Sequence, residues 1–193
     1  MPGQRVGLLG GSFNPPHAAH RLITHTALRR LQLDVIWWVV TPGNPLKSRS
    51  ELLPLDERLA LCREMAIGDP RIKITAFESD LPSAYTAATL SFLTLRYPGV
   101  RFVWLMGADN LATFHLWEQW REIAAMMPMA VVDRPNWRLP GMSSPAARFL
   151  RDQYVNEQAA SRLASLAAPA WTFLTGPLSD LSSTAIRAER ARR

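Results

Sequence analysis

The chain has 193 residues, with 22 Lys+Arg against 16 Asp+Glu, a single Cys and 48% hydrophobic residues. That length and composition fit one domain over residues 1–193, able to remove about 70% of its unfolded surface from water without disulfides or a structural metal. They exclude collagen, coiled coil and general disorder. Half of the formal charge of +6 is local, because four arginines and one glutamate between residues 185 and 193 give the tail a net +3. Such a tail complements the negative end of a terminal helix. No arginine run is interleaved with aromatics along a strand, as a base-stacking surface needs, so nucleic acid is not the expected main partner.

The predicted elements alternate along the chain. Strand-like apolar runs fall at Val6–Leu9, Val35–Val40, Ile72–Thr75, Phe102–Met106, Met129–Val132 and Trp171–Leu174. Helical patterns fall between them at 18–32, 55–68, 85–97, 110–126 and 145–167, each closed by Gly, Pro or Asp. Alternation of this kind predicts parallel crossovers and an α/β fold, a three-layer α/β/α sandwich with a mainly parallel sheet. Prolines 135, 140 and 145 with Gly141 mark 133–145 as a candidate mobile connection, and 44–54 is a second. Trp104, in an apolar strand, is expected in the core, as is Trp37 or Trp38.

No window approaches the ~18 consecutive apolar residues of a membrane span. Met1 to Arg5 leads into an apolar run too short for a secretory signal. Cys62, within Arg58-Leu59-Ala60-Leu61-Cys62-Arg63, falls on an apolar helix face and is expected to be a buried, inert thiol. A lone cysteine suits a reducing compartment, so the expected location is cytoplasmic.

In a parallel sheet of this class, ligands lie beyond the carboxyl ends of the strands. Residues 10–20 read G-G-S-F-N-P-P-H-A-A-H between the first strand and the first helix. Gly10 and Gly11 would let a ligand approach the backbone, and Asn14, Pro15 and Pro16 would fix a turn into a helix whose N-terminal amides attract an anion. His17 and His20, three positions apart, would lie on one face of the first turn and point at the same anion. The G-x-G-x-x-G and G-x-x-x-x-G-K-[ST] phosphate loops are absent, which argues against a dinucleotide-dependent dehydrogenase and a P-loop NTPase. His25 and His115 supply no HExxH or paired-cysteine context, so no protein zinc site is expected.

Near the C-terminus stands Leu181-Ser182-Ser183-Thr184-Ala185-Ile186-Arg187. Its hydroxyls can cap a helix, and Arg187, one turn in, can clamp a polyphosphate. Together the two stretches resemble the signatures of nucleotidyltransferases with a Rossmann-like fold, the H-x-G-H form and the I-S-S-T-x-I-R form; Ala19 stands where the first has glycine. Asn44-Pro45-Leu46-Lys47, Ser83-Ala84-Tyr85-Thr86 and the run from Gly107 to Trp117 add a resemblance to the bacterial nicotinate-nucleotide adenylyltransferases.

That resemblance implies transfer of the adenylyl group of ATP, carrying Mg²⁺, to nicotinate mononucleotide in NAD biosynthesis. It places Gly10, Gly11, Ser12, Phe13, Asp109, Ser182, Ser183 and Thr184 at ATP, and His17, His20 and Arg187 at the reacting phosphates. It implies that Trp117 stacks on the pyridine ring, that Tyr85 and Thr86 donate to its carboxylate, and that Lys47 sits near the acceptor. Arg134, beyond the fifth strand, could join the acceptor site or cap its loop. A flat aromatic acid does need a π-face and hydrogen-bond donors, whereas an amide would require an acceptor for its NH₂. Trp117 and Trp120 are expected on one helical face, with Trp117 the binder. Nicotinamide mononucleotide or phosphopantetheine as acceptor, and a nucleotide-binding module without turnover, remain the alternatives.

Overall fold

The computed structural model describes residues 2–42, 52–81, 85–190 and 192. All six expected strands form: β1 (Arg5–Gly11), β2 (Val35–Val40), β3 (Ile72–Thr75), β4 (Arg101–Gly107), β5 (Met129–Val132) and β6 (Trp171–Leu174). They pair in parallel throughout, in the order β3-β2-β1-β4-β5-β6. Helices α1 (Ala18–Arg30), α2 (Leu55–Ala66), α3 (Thr86–Arg96), α4 (Ala108–Thr113), α5 (Trp120–Met126), α6 (Arg138–Met142), α7 (Pro145–Phe149) and α8 (Ser183–Arg190) occupy the connections.

Strands buried on both faces must be apolar at every position, which is why β2 reads Val-Ile-Trp-Trp-Val-Val and β5 Met-Ala-Val-Val. One face is covered by α3, α5 and α7 through Leu90, Leu93, Trp120, Ile123 and Ala147 against Leu8, Trp104 and Met106. The other face packs α1 and α2 through Ile23, Ala27, Leu28 and Cys62 against Leu9, Ile36, Trp38 and Leu105. Trp104 and Trp38 are core residues, as expected. Cys62 is fully buried and burial pushes its thiol up to about 12, so it is unreactive at neutral pH. Strand order reverses between β1 and β4, and it is beyond the carboxyl ends of the strands at such a point that a parallel sheet of this class holds its ligands.

Two expected helices are broken. The pattern over 110–126 divides into α4, a 3-10 turn at Phe114–Leu116 and α5, because Gln119 takes a left-handed conformation (φ 54°) that no helix can carry. Trp117 and Trp120 therefore do not share a helical face. The pattern over 145–167 keeps only α7 as α-helix, followed by 3-10 turns at Arg151–Gln153 and Glu157–Ser165. Between them the chain runs beside β6, where the Val155 N–H donates to the Trp171 carbonyl at 2.7 Å and Tyr154 forms a bridge to Trp171. The 133–145 stretch, expected as a connection, contains α6. Gly141 lies there because a side chain would meet the Ala108 carbonyl oxygen at 2.9 Å.

Candidate functional site

The loop that leaves β1 is held by its aromatics. Phe13 adopts a left-handed backbone (φ 46°), a strained conformation for a bulky residue, and its fully buried ring fixes it there by stacking on Trp38 at 5.1 Å. Trp38 is itself tied to α1, since its Nε1–H donates to Thr24 Oγ1 at 2.8 Å. Gly10 serves packing in this loop rather than ligand approach alone: a Cβ there would stand 2.5 Å from the Trp104 indole.

His17 precedes α1 and His20 lies in its first turn. Their rings are 3.9 Å apart, and the His20 ring also lies 4.6 Å from that of Phe13. The backbone N–H of His17 donates to His20 Nδ1 at 3.2 Å. Neutral imidazole carries one N–H, so this bond assigns the His20 proton to Nε2 and makes that atom a hydrogen-bond donor. Burial, with a smaller effect of the Arg134 charge, lowers His17 to about 4; burial, then the neighbouring His17, lowers His20 to about 3.

Both values lie below the ordinary 6.5, so the folded chain binds fewer protons than the unfolded one between about pH 3 and 6.5. The stability contributed by the neutral rings is complete above pH 6.5 and is lost as pH falls. Without nucleotide, lowering the pH from 7 to 5 should cost about 2 kcal/mol per ring, at about 1.4 kcal/mol per pKa unit. Urea titrations at the two pH values should show the double variant His17→Gln/His20→Gln losing correspondingly less than the wild type. Equal losses would contradict the neutral assignment.

The C-terminal motif closes on the same loop. Ser183 Oγ donates to the Pro15 carbonyl at 2.9 Å, and Arg187 Nη1 donates to the Asn14 carbonyl at 2.8 Å. The start of α8 thus stands beside the start of α1 although more than 160 residues separate them in sequence. Ser182 accepts the Ile186 N–H at 3.0 Å through its carbonyl, and Thr184 is exposed.

Beyond the ends of β4 and β5, Arg134 pairs with Asp109 at 3.0 Å and donates to the Leu181 carbonyl at 3.0 Å. Arg134 therefore joins the ends of β4 and β5 to the C-terminal motif, and its charge reaches both histidines. Among the described residues the buried Asp109 Oδ1 has no hydrogen-bond partner, which leaves it available to a donor. Gly107 leaves room for this pair: a side chain there would displace the Asp109 carboxylate or the Arg134 side chain.

Tyr85, Thr86 and Trp117, three of the residues expected at the acceptor, belong to elements on the sheet face that holds Trp104. Tyr85 immediately precedes α3 and is 41% exposed, and Thr86 opens that helix. Trp117 follows the 3-10 turn, packed edge-on to Phe114 at 5.5 Å with part of its surface open. Trp120 is the packing partner, buried against Phe114 and Phe149 and covered by Arg121. Lys47, with Asn44, Pro45 and Leu46, and the pair Ser83-Ala84 lie outside the described residues.

One residue near this group was not legible in sequence. Glu78 is buried, accepts a 2.5 Å hydrogen bond from Thr89 Oγ1 of α3, and has its carboxyl pushed upward by burial. It anchors the first turns of the helix that follows Tyr85. A lone glutamate before S-D-L-P-S carries no motif that would single it out.

Two helix starts, a histidine pair and an arginine-aspartate pair thus gather near the reversal point of a parallel sheet. The family model described as "Cytidylyltransferase-like" matches residues 8–189, and the chain belongs to that class. A relative from Rhizobium meliloti (strain 1021), named "Probable nicotinate-nucleotide adenylyltransferase", is 56% identical over 186 residues, covering 96% of this chain and 98% of that one. A relative of the same name from Brucella abortus (strain 2308) is 55% identical over 182 residues, covering 94% and 93%. The chain is thus a member of the nicotinate-nucleotide adenylyltransferase family.

The fold is shared with Plasmodium falciparum nicotinic acid mononucleotide adenylyltransferase, solved in complex with NaAD. The TM-score is 0.72 at 16% identity, covering 96% of this chain and 83% of that one.

Proposed function

We infer that this chain transfers the adenylyl group of ATP to nicotinate mononucleotide, giving nicotinate adenine dinucleotide and pyrophosphate in NAD biosynthesis. The observation that carries the reading is the convergence of Ser183 and Arg187 on the Asn14-Pro15 turn beside His17, in a chain of this family.

An oxygen of the acceptor's 5′-phosphate attacks the α-phosphorus of ATP. A new P–O bond forms, the bond from the α-phosphorus to the α,β-bridging oxygen breaks, and pyrophosphate leaves with its electron pair. The attacking phosphate is ionised at pH 7, so the step needs no general base. Catalysis reduces to aligning two anions and neutralising charge in the transition state.

Each group has a task on this reading. His20 donates from Nε2 and His17 from its own ring N–H to phosphate oxygens. The binding of a polyanion raises the affinity of both rings for a second proton. Arg187 and Arg134 exchange their carbonyl and carboxylate partners for phosphate oxygens, and the Ser182-Ser183-Thr184 turn adds hydroxyl and amide donors. Gly10, Gly11, Ser12 and Phe13 provide the wall against which ATP lies, and Asp109 accepts from the nucleotide. Mg²⁺ enters as part of the substrate, on phosphate oxygens and water. Trp117 stacks on the pyridine, Tyr85 and Thr86 donate to its carboxylate, and Lys47 lies near the acceptor phosphate.

No helix among the described residues is long and apolar enough to cross a membrane, and the lone buried thiol suits a cytoplasmic place for this reaction.

The test is product formation by the purified chain with ATP and Mg²⁺, offered the acid mononucleotide, its amide counterpart or phosphopantetheine. Pyrophosphate should appear in step with nicotinate adenine dinucleotide, at least tenfold faster with the acid than with either rival. Preference for another acceptor would reassign the pocket, and ATP binding without turnover on any of the three would leave a binding module.

A further inference from the structure

Arg58 of α2 is 1% exposed, and the acceptors recorded for its guanidinium among the described residues are all backbone carbonyls. Nε donates to Leu53 at 2.9 Å, Nη1 to Ser12 and to Thr41 at 2.7 Å each, and Nη2 to Pro42 at 3.4 Å. One buried cation thus joins three stretches: the loop that leaves β1, the exit of β2 and the entry to α2. A second bond runs parallel to it, from the Leu53 N–H to Asn14 Oδ1 at 3.2 Å, and Thr41 N–H donates to the Gly11 carbonyl at 3.0 Å.

The acceptors are informative. The Leu53 and Thr41 carbonyls belong to peptides whose next residue is proline, Pro54 and Pro42, so neither peptide has an N–H to orient. The Ser12–Phe13 peptide does. In a trans peptide the C=O and N–H point in opposite directions, so drawing the Ser12 carbonyl onto Arg58 turns the Phe13 N–H away from it. No acceptor is recorded for that N–H among the described residues, and the left-handed Phe13 backbone holds it in place.

We propose that Arg58 is a positioning residue of the nucleotide site: by holding the Ser12 carbonyl against the β2 exit it presents the Phe13 N–H to a phosphate of ATP. The inference rests on the ATP reading of the site. Arginine is required because its planar fork satisfies several carbonyls at once, and lysine, with a single ammonium centre, cannot span all of them. A cation buried among carbonyls, without a carboxylate on it in the described residues, also keeps its field directed at the loop rather than neutralised locally.

The test compares wild type with Arg58→Lys and Arg58→Met, using steady-state kinetics, calorimetric titration with inorganic tripolyphosphate and a thermal melt. For the folded variants, KM for ATP and the Kd for tripolyphosphate should rise at least tenfold, with KM for nicotinate mononucleotide within about threefold of wild type. Arg58→Lys should retain more affinity than Arg58→Met. Folded variants with wild-type affinity for tripolyphosphate, or with KM raised equally for both substrates, would overturn the proposal.

If neither variant folds, the ¹⁵N amide resonance of Phe13 in the wild type decides. It should shift and gain exchange protection on addition of tripolyphosphate, and an unmoved resonance under saturation rejects the role. A wild type that binds neither tripolyphosphate nor ATP removes the ATP reading itself, which separates that failure from a failure of Arg58 alone.

Discussion

Replacing His20 with alanine should lower kcat roughly 10²-fold or more while changing the KM for ATP far less. The expectation follows from the proton placement: the His17 N–H occupies Nδ1, so the single proton of the neutral ring is on Nε2. A donor aimed at oxygens whose charge changes during transfer stabilises the transition state more than the ground state, and its loss appears in kcat. The ring also touches Phe13, so the variant needs a thermal melt beside the kinetics. His20→Gln, which keeps an N–H donor, should recover part of the rate. Wild-type turnover in folded His20→Ala would remove the residue from this role.

Trp117→Ala should act on the other substrate. Trp117 packs edge-on to Phe114 and keeps surface exposed, whereas Trp120 is buried. Loss of an aromatic stack costs about 1–3 kcal/mol in comparable base-stacking sites, which corresponds to a roughly 5- to 150-fold rise in KM for nicotinate mononucleotide. KM for ATP should stay within about twofold. An effect confined to ATP would place the pyridine pocket elsewhere, and Trp120→Ala, in contrast, should lower the melting temperature.

The sheet was legible because strands buried on both faces are apolar at nearly every position, and Val35–Val40 or Met129–Val132 admit few other readings. The helix breaks were not, because they come from tertiary demands. Nothing local announces that Gln119 turns left-handed, or that residues 154–155 leave a helical pattern to run beside β6. The first loop and the C-terminal motif could be read because their residues are contiguous, and their convergence is now visible in the Ser183–Pro15 and Arg187–Asn14 bonds.

The Arg134–Asp109 pair was harder to read. It requires knowing that the ends of β4 and β5 are neighbours, and 25 residues separate the two side chains. Gly10 was legible as a glycine that matters, but the Trp104 indole that demands it comes from another strand. Arg58 did leave a signal. It stands four positions before Cys62 on the inward stripe of α2, where a charged residue has no reason to be unless something buried needs its donors.

The account stands on a single displacement, with both anions aligned between the two helix starts and no adenylated side chain. Its most direct test is the configuration at phosphorus when ATP carrying one defined α-phosphorothioate diastereomer is used with nicotinate mononucleotide. One in-line displacement predicts a dinucleotide inverted at the α-phosphorus. Retention would reveal two displacements through an adenylylated enzyme and contradict the mechanism.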